Sequence, residues 1–135
     1  MARGFLVALL FCGTVFAQSF PSKPVRIVVP LVPGGNQDIV ARAVAEELSK
    51  GLGQQVIVEN RPGASAIVGT QFVKGAAPDG YTLLSVAVTF ARVPGVVKAA
   101  NYDPRTDFAG VSLVCRIPQV LVVNPGFAAK NLQEL

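Results

Sequence analysis

The chain has 135 residues, 51% of them hydrophobic, and 12 lysines and arginines against 8 aspartates and glutamates give it a formal charge of +4. It contains no histidine, which excludes catalytic arrangements built on histidine and zinc sites with a histidine ligand. The basic residues are spread along the chain without a cluster, so nucleic acid is not a predicted partner.

Residues 1–17 have the layout of a secretory signal peptide. Arg3 precedes an uncharged apolar run that starts at Phe5 and closes on the small or apolar residues Val15 and Ala17. The run is shorter than the roughly 20 apolar residues that a membrane-spanning helix needs, although an uncleaved anchor is the alternative. We therefore predict an exported mature chain that starts at Gln18 and does not span the membrane.

The cysteines allow no intramolecular disulfide after export. Cys12 leaves with the signal peptide, so Cys115 stands alone in the mature chain. Because Cys115 lies in the apolar run at residues 111–115, we predict a small core residue rather than a reactive thiol. No metal site and no cofactor is predicted.

The first half of the mature chain alternates strand and helix patterns. The β-branched run at residues 25–29 predicts a buried strand, and residues 33–36 form a tight Pro-Gly-Gly-Asn loop after it. Residues 38–52 have helical spacing, with Arg42 and Glu46 expected to pair four residues apart. The side chains of Asn36 and Asp38 could cap the N-terminus of this helix, and Gly51 and Gly53 are expected to end it.

A second unit of the same kind follows. Residues 55–59 predict a strand, residues 60–65 a loop and residues 67–75 a short helix. Residues 81–88 predict a third strand, residues 89–108 mostly loop with one helical turn, and residues 111–116 and 119–123 two more strands. Asn131 and Glu134 have nearly the spacing of a capping box, which predicts a helix start. The order of these elements predicts an α/β fold with a parallel sheet.

Two loops combine glycine with the start of a helix, which is the chemistry of an anion site. Gly34 and Gly35 precede the first helix, and Gly63 precedes the second. Helix N-termini present unpaired N–H groups and a partial positive charge, so two of them side by side could hold both ends of a small diacid. The alternative is that the glycines only permit tight turns. Neither loop matches a nucleotide-binding pattern.

Several side chains near these loops have two interpretations each. Asp38 either caps the first helix or faces a ligand. Arg61 either binds a ligand carboxylate through two hydrogen bonds or forms an ion pair with Glu59. Ser65, Ser85 and Thr89 either contact a ligand through their hydroxyl groups, or they cap helices and occupy ordinary strand positions. The residues alone leave these alternatives open.

Motifs in order along the mature chain resemble the receptors of tripartite tricarboxylate transporters, the Bug-type periplasmic solute-binding proteins. The most specific are the ENRPGA string at residues 59–64 and the APDGYTLL string at residues 77–84. They are joined by PSKPVR at 21–26, PGG at 33–35, IVAR at 39–42, LGQ at 52–54, YDP at 102–104 and LVVNP at 121–125.

The resemblance implies a non-enzymatic, two-lobed periplasmic receptor that binds a small carboxylate and delivers it to membrane transporter subunits. It implies three regions: a signal peptide at 1–17, a first lobe at 18–116, and a crossover with the start of a second lobe at 117–135. Because family members continue well beyond residue 135, the resemblance also implies a chain truncated before completion. The ligand-binding residues that it implies lie in the two loops: Gly34, Gly35, Asn36, Gln37, Asp38, Gly63, Ala64, Ser65 and Ala66.

This chain departs from the family pattern at positions around those loops. The family favours glycine at Ser65 and Ala66 and a polar residue at Ile67, and it often has histidine and asparagine where Phe90 and Val93 stand. These differences imply an altered specificity or a decaying site. The alternative function is therefore a non-functional truncated paralogue or gene fragment. An enzyme has no support beyond the presence of acidic residues.

Overall fold

Three parallel strands form the centre of the molecule. The computed structural model describes residues 19–118, 120–129 and 131–134, so the predicted signal peptide lies outside the described residues. Strands β1 (Val25–Val29), β2 (Val56–Asn60) and β3 (Thr82–Leu84) make one sheet in the order β2-β1-β3. Val25 pairs with Val56 and Arg26 with Thr82, and both pairings are parallel. The predicted parallel α/β fold is confirmed.

Three helices follow the strands. Helix α1 is Asn36–Leu52, α2 is Ile67–Lys74 and α3 is Val88–Val96, with single 3-10 turns at Ala64–Ala66 and Lys98–Ala100. The first helix begins two residues before the predicted start, because the extended Gly35 serves as its N-cap without any capping side chain. Gly53 ends it with a left-handed φ of 63°, as the glycine signal predicts.

Helix α1 packs on one face of the sheet through small side chains. Alternate residues of β1 (Val25, Ile27 and Val29) form a buried cluster with Ala41 and Ala45 of the helix. Val56, Val44 and Leu48 extend the same cluster. Two alanines at helical spacing let the helix approach the strands closely, so the first βαβ unit has a continuous apolar core.

Helix α2 approaches the ends of β1 and β2 at Gly69, which is buried. A Cβ at this position would lie 2.8 Å from the Arg61 carbonyl oxygen and 2.8 Å from Pro30 Cβ. Real Cβ atoms do not approach backbone so closely. The spacing between α2 and the sheet therefore depends on the missing side chain at Gly69.

A second apolar cluster joins α2 to α3. It contains Ile67, Val93, Ala100 and Tyr102, with Phe90 and Phe108 packed against it. The Phe90 ring stacks on Tyr102 at 5.5 Å and meets the edge of Phe108 at 5.1 Å. This cluster immobilises the segment after α3 and supports the start of α2.

Helix α3 corrects two expectations. Strand β3 ends at Leu84 rather than at residue 88, and the eight residues 89–96, predicted as mostly loop, are helical together with Val88. Pro94 within α3 cannot donate a hydrogen bond to the carbonyl of Phe90, four residues earlier. The hydroxyl of Tyr102 donates to that carbonyl oxygen at 3.0 Å instead. A distant side chain thus replaces the backbone donor, which no local pattern could indicate.

The predicted strands at residues 111–116 and 119–123 are not found. Residues 111–118 have no regular secondary structure, and Val111 and Leu113 are 82% and 69% exposed. Gln119 lies outside the described residues. Strand propensity takes effect only where a neighbouring strand and a packed face are available, and this segment has neither. Cys115 is exposed rather than in the core, so that prediction was wrong as well.

The helix start predicted near residue 131 is not found in the described residues, where residues 131–134 form a turn. Asn131 Oδ1 accepts from the amides of Gln133 and Glu134 at 3.1 Å each, and Asn131 Nδ2 donates to Glu134 Oε1 at 2.6 Å. The bond from the Glu134 amide to Asn131 Oδ1 is one of the two that a capping box makes. The bond to Glu134 Oε1 differs, because its donor is the side-chain Nδ2 of Asn131 and not the backbone amide. Leu135 lies outside the described residues.

Replacing Gly69 with alanine should lower the free energy of unfolding by about 2 kcal/mol or more, because backbone atoms of Arg61 and Pro30 must move. Gly51→Ala is the matched control: nothing lies within 4 Å of its added Cβ, and alanine in this helix should stabilise by up to about 1 kcal/mol. Urea unfolding of the full chain measures both. Equal effects of the two substitutions would contradict the close approach.

Tyr102→Phe should cost about 1 kcal/mol of unfolding free energy, because the Phe90 carbonyl oxygen loses its donor. In a Pro94→Ala background the cost should fall, since the restored amide of residue 94 can bond to the same oxygen. A double-mutant cycle by thermal or urea unfolding measures this coupling. Additive effects of the two substitutions would show that the hydroxyl does not replace the backbone donor.

Candidate functional site

Three loops meet at the edge of the sheet where the parallel strands end. The first loop (residues 30–35) follows β1, the second loop (residues 61–66) follows β2 and the third loop (residues 85–87) follows β3. The Arg61 amide donates to the Val29 carbonyl oxygen at 2.8 Å, and the Ser85 amide donates to that of Val28 at 2.9 Å. The central strand thus holds both outer loops, at the edge where ligands bind in parallel α/β sheets.

Asp38 links the first loop to the rest of this edge. The residue is only 3% exposed. Its Oδ2 accepts from the Gly34 amide at 2.9 Å and from Arg42 Nε at 3.0 Å, and its Oδ1 accepts from Asn60 Nδ2 at 2.9 Å. One carboxylate therefore connects the first loop, helix α1 and the end of β2.

Asn60 and Arg42 complete this network. Arg42 Nη2 donates to Asn60 Oδ1 at 3.0 Å, and Asn60 Nδ2 also donates to the Leu31 carbonyl oxygen at 3.2 Å. The hydrogen bond from Arg42, followed by those from Gly34 and Asn60, lowers the pKa of Asp38 to about 2. Of its two interpretations, the structure gives Asp38 an internal role, since both oxygens have partners within the chain.

The observed ion pairs differ from the predicted one. Arg42 pairs with Asp38 rather than with Glu46, which pairs with Lys50 at 3.0 Å instead. Both arrangements have the same spacing of four residues, so the helix pattern could not choose between them. The choice comes from Asn60 on β2, which contacts both members of the Asp38–Arg42 pair.

Gln37 joins helix α1 to the third loop. Its Nε2 donates to the Ser85 carbonyl oxygen and lies 3.3 Å from Ser85 Oγ. The Ser85 hydroxyl, a candidate ligand contact, therefore already faces a protein partner, while Thr89 is exposed in the first turn of α3. No sequence signal pairs residue 37 with residue 85.

The N-terminus of α1 is open. Gly34 has a φ of 82°, and Gly35 caps the helix without a side chain. The first helical hydrogen bond runs from the Ile39 amide to the Gly35 carbonyl oxygen at 3.0 Å. The amides of Asn36, Gln37 and Asp38 therefore precede the helical hydrogen bonds, and Gly35 has no side chain that could accept from them. Gly34, Gly35 and Asn36 are exposed.

The second loop holds a run of left-handed residues. Gly63 has a φ of 137°, and Ala64, Ser65 and Ala66 follow with φ values of 46°, 55° and 73°. The left-handed conformation costs an L-residue roughly 1–2 kcal/mol. Thr70 Oγ1 donates to the Ala66 carbonyl oxygen at 2.8 Å, which helps to hold the strained turn. Alanine and serine, unlike glycine, carry no sequence signal for this conformation.

The start of α2 differs from that of α1. The Ile67 amide donates to the Ala64 carbonyl oxygen, and the Val68 amide donates to that of Gly63 at 3.5 Å. Ala66 and Ile67 are buried, whereas Ala64 and Ser65 are exposed. Ala64 and Ser65 of the second loop are thus exposed to solvent. The N-terminus of α2 is not open, because its first amides already have acceptors. The two termini are not the equivalent anion sites that the sequence pattern indicates.

Arg61 is paired within the protein. Its Nε donates to Glu59 Oε1, and its guanidinium lies 3.6 Å from the centre of the Phe72 ring. Glu59 Oε2 also lies 3.2 Å from Arg26 Nε. Of the two interpretations of Arg61, the structure shows the ion pair with Glu59.

A cleft among the described residues lies away from these loops, at the C-terminal ends of α2 and α3. Its volume is about 300 Å³. Its charges are partly satisfied internally: Lys74 Nζ lies 2.9 Å from Asp107 Oδ2 and donates to the Asn101 carbonyl oxygen at 2.8 Å. We place the candidate site at the loops, because they combine open amides with the ends of parallel strands. The cleft is lined by Lys74, Pro94, Val97, Lys98, Ala100, Asn101, Tyr102, Asp103 and Asp107.

The described ranges contain no group of three or more acidic residues or cysteines that could hold a metal ion. In the same part of the chain, no helix combines the length and apolar character needed to cross a membrane.

Solved structures of periplasmic binding proteins share this fold. The periplasmic binding protein BugD superposes with a TM-score of 0.64 at 43% identity, over 66% of this chain and 30% of its own. MatC from Rhodopseudomonas palustris, solved with bound malate, superposes with a TM-score of 0.62 at 38% identity. The match to MatC covers 66% of this chain and 31% of MatC.

Sequence relatives agree with the structural ones. BugT from Bordetella pertussis is 36% identical over 133 residues, which are 97% of this chain and 41% of BugT. A UPF0065 protein from Bordetella bronchiseptica is 43% identical over 120 residues, 88% of this chain and 36% of that protein. The chain therefore spans about two fifths of the length of these relatives. A family model described as tripartite tricarboxylate transporter family receptor matches residues 40–135. With this match over most of its length, the chain belongs to the tripartite tricarboxylate transporter receptor family.

Proposed function

We propose that this chain provides the carboxylate-binding loops of a periplasmic solute-binding receptor. One carboxylate group of the ligand is held by backbone amides of residues 35–38 and 63–66, while the Gly34 amide is used by Asp38, and the receptor delivers the ligand to membrane transporter subunits. The observation that carries the proposal is the open N-terminus of α1 beside the exposed second loop, with Asp38 and Asn60 linking the two.

Electrostatics at this edge favour an anion. The free amides of the first turn and the helix dipole direct partial positive charge at the space above Gly35. Asp38 is an acid in the same turn, but Arg42 neutralises it and its oxygens are occupied. A carboxylate can therefore approach the amides without meeting an unpaired negative charge from Asp38.

The relatives support the ligand class and the compartment. MatC was solved with bound malate, and BugD is a periplasmic binding protein. The chain covers only 30–31% of these two proteins. We therefore include three further points in the proposal: a ligand-binding site completed by residues outside this chain, export to the periplasm, and contact with transporter subunits.

Replacing Asn36 with proline removes one amide donor from the proposed site at little cost to the helix. Proline suits the first helical position, and the extended backbone of Gly35 (φ −76°, ψ 164°) is the conformation that a residue before proline adopts. We expect Asn36→Pro to weaken malate binding at least about tenfold, the value of a hydrogen bond to a charged group. Titration calorimetry of the full chain measures this.

Asn36→Ala is the control, since it removes the side chain and keeps the amide. It should bind malate within about twofold of the unmodified chain, and both variants should unfold at a similar temperature. Equal loss in both variants would assign the effect to the side chain and contradict amide binding. Absence of carboxylate binding by the unmodified chain would favour the alternative, a non-functional fragment.

We further propose that the Asp38 carboxylate positions the first loop and does not itself contact the ligand. Its pKa of about 2 lies below the ordinary 3.8, so the stability it contributes is complete above about pH 4 and is lost as the pH falls toward 2. Asp38→Asn should therefore be less stable than the unmodified chain at pH 5, and the difference should shrink between pH 4 and pH 2.

Urea unfolding at a series of pH values measures that difference. Glu46→Gln is the control, because it removes only one of the two exposed ion pairs of Lys50 and should have a much smaller effect. A deficit in Asp38→Asn that stays constant from pH 5 to pH 2 would contradict the role assigned to the carboxylate.

A further inference from the structure

We infer that Gln37 is a positioning residue of the proposed ligand site: its side-chain amide holds the third loop beside the open first turn of α1, so that this loop borders the bound ligand. The inference rests on the proposed function, which uses only the backbone amide of Gln37. It adds a separate role for the side chain, and it depends on the bonds that hold the third loop, on the chemistry of glutamine and on the helix that follows the loop.

The third loop has two hydrogen-bonded anchors in the described residues, and both are at Ser85. The Ser85 amide donates to the Val28 carbonyl oxygen at 2.9 Å, which continues the pairing of β1 with β3. The Ser85 carbonyl oxygen accepts from Gln37 Nε2, which joins the loop to α1. Val86 and Ala87 beyond this point are exposed. Without Gln37, the loop would be held from the strand side alone.

Glutamine has the chemistry that this position needs. An acidic side chain in the first turn would suit the helix dipole, but a carboxylate cannot donate to the Ser85 carbonyl oxygen. Its negative charge would also stand beside the amides that are proposed to bind an anion. The uncharged amide of Gln37 donates to the loop without adding charge, and the residue is half-buried, which limits competition from water.

The anchor at Ser85 also determines where α3 begins. Ala87 is the N-cap of α3 and offers no capping side chain, and the first helical hydrogen bond runs from the Phe90 amide to the Ala87 carbonyl oxygen at 3.0 Å. The exposed amides of Val88 and Thr89 therefore precede the helical hydrogen bonds. Since Ser85 lies two residues before Ala87, the bond from Gln37 fixes the spacing between the starts of α1 and α3.

This arrangement gives the backbone and the side chain of Gln37 different tasks. The backbone amide belongs to the turn that is proposed to hold a carboxylate group, and the side chain holds the loop that the rest of the ligand meets. Because ligand contacts depend on placement to within a fraction of an ångström, the side chain can change affinity without touching the ligand. Acetate has only a methyl group beyond its carboxylate and should not depend on the third loop, whereas malate should.

The test replaces Gln37 with methionine, which has nearly the same length and a good helix propensity but no donor. Amide hydrogen exchange of the full chain, followed by NMR, should become about fivefold faster at Ser85 and Phe90, as expected for the loss of one hydrogen bond, and stay unchanged at the core residue Ala45. NMR titration should show malate binding weakened about fivefold and acetate binding changed by less than about twofold.

Gln71→Met is the matched control. Gln71 Nε2 donates to the carbonyl oxygens of Ala99 and Ala100 at 3.2 and 2.8 Å, so this substitution removes a bond of the same kind from α2, away from the three loops. Exchange of the Ala100 amide, which donates to the Val97 carbonyl oxygen, should become faster. Malate binding should stay within about twofold of the unmodified chain, because this contact is remote from the site.

The outcomes separate this inference from the proposed function. Malate binding that is unchanged in Gln37→Met overturns the inference and leaves a carboxylate receptor in place. Weakened malate binding without faster exchange at Ser85 and Phe90 would mean that the side chain touches the ligand, and equal weakening of acetate would place it at the carboxylate itself. Faster exchange at Ala45 as well would reduce Gln37 to a contributor to overall stability. Each of these results contradicts a positioning role. If the unmodified chain binds neither acid, the proposed function fails and the inference fails with it.

Discussion

The geometry of the candidate site depends on one buried carboxylate. Asp38 accepts hydrogen bonds from the first loop and from its own helix, and it connects both to Asn60 at the end of β2, 22 residues further along the chain. Because Arg42 lies one turn along the same helix, the charge is neutralised where it arises. The first-turn amides of α1 are left free for an external anion, since Asp38, the acid in the same turn, is already satisfied.

Close backbone approach determines the shape of the second loop. Gly69 lets α2 reach the ends of β1 and β2, and Gly63 starts the left-handed run that leads into it. Ala64, Ser65 and Ala66 are strained in this conformation, and the packing of Ile67, Val93 and Tyr102 beneath them holds it in place. Strain of this kind is concentrated at the loop whose amides are proposed to bind the ligand.

The apolar surface has two parts with different surroundings. Exposed valines in and directly after the three loops lie near the edge of the sheet where the parallel strands end. The segment from Val111 to Val123 is exposed along its described length and pairs with no strand. Its β-branched composition is typical of a buried strand, so its exposure reflects the lack of a neighbouring strand rather than its own propensity.

The sequence by itself determined the regular part of this protein. Strands β1 and β2, helices α1 and α2, the parallel sheet and the two glycine loops all follow from local patterns, because hydrophobic period and turn residues act over a few neighbours. Tertiary structure decided what depends on distant partners. Asn60 selects the partner of Arg42, Tyr102 replaces the donor that Pro94 lacks, and packing imposes left-handed backbone on Ala64 and Ser65. Each of these outcomes requires two segments to meet in space, and no local spacing encodes such a meeting.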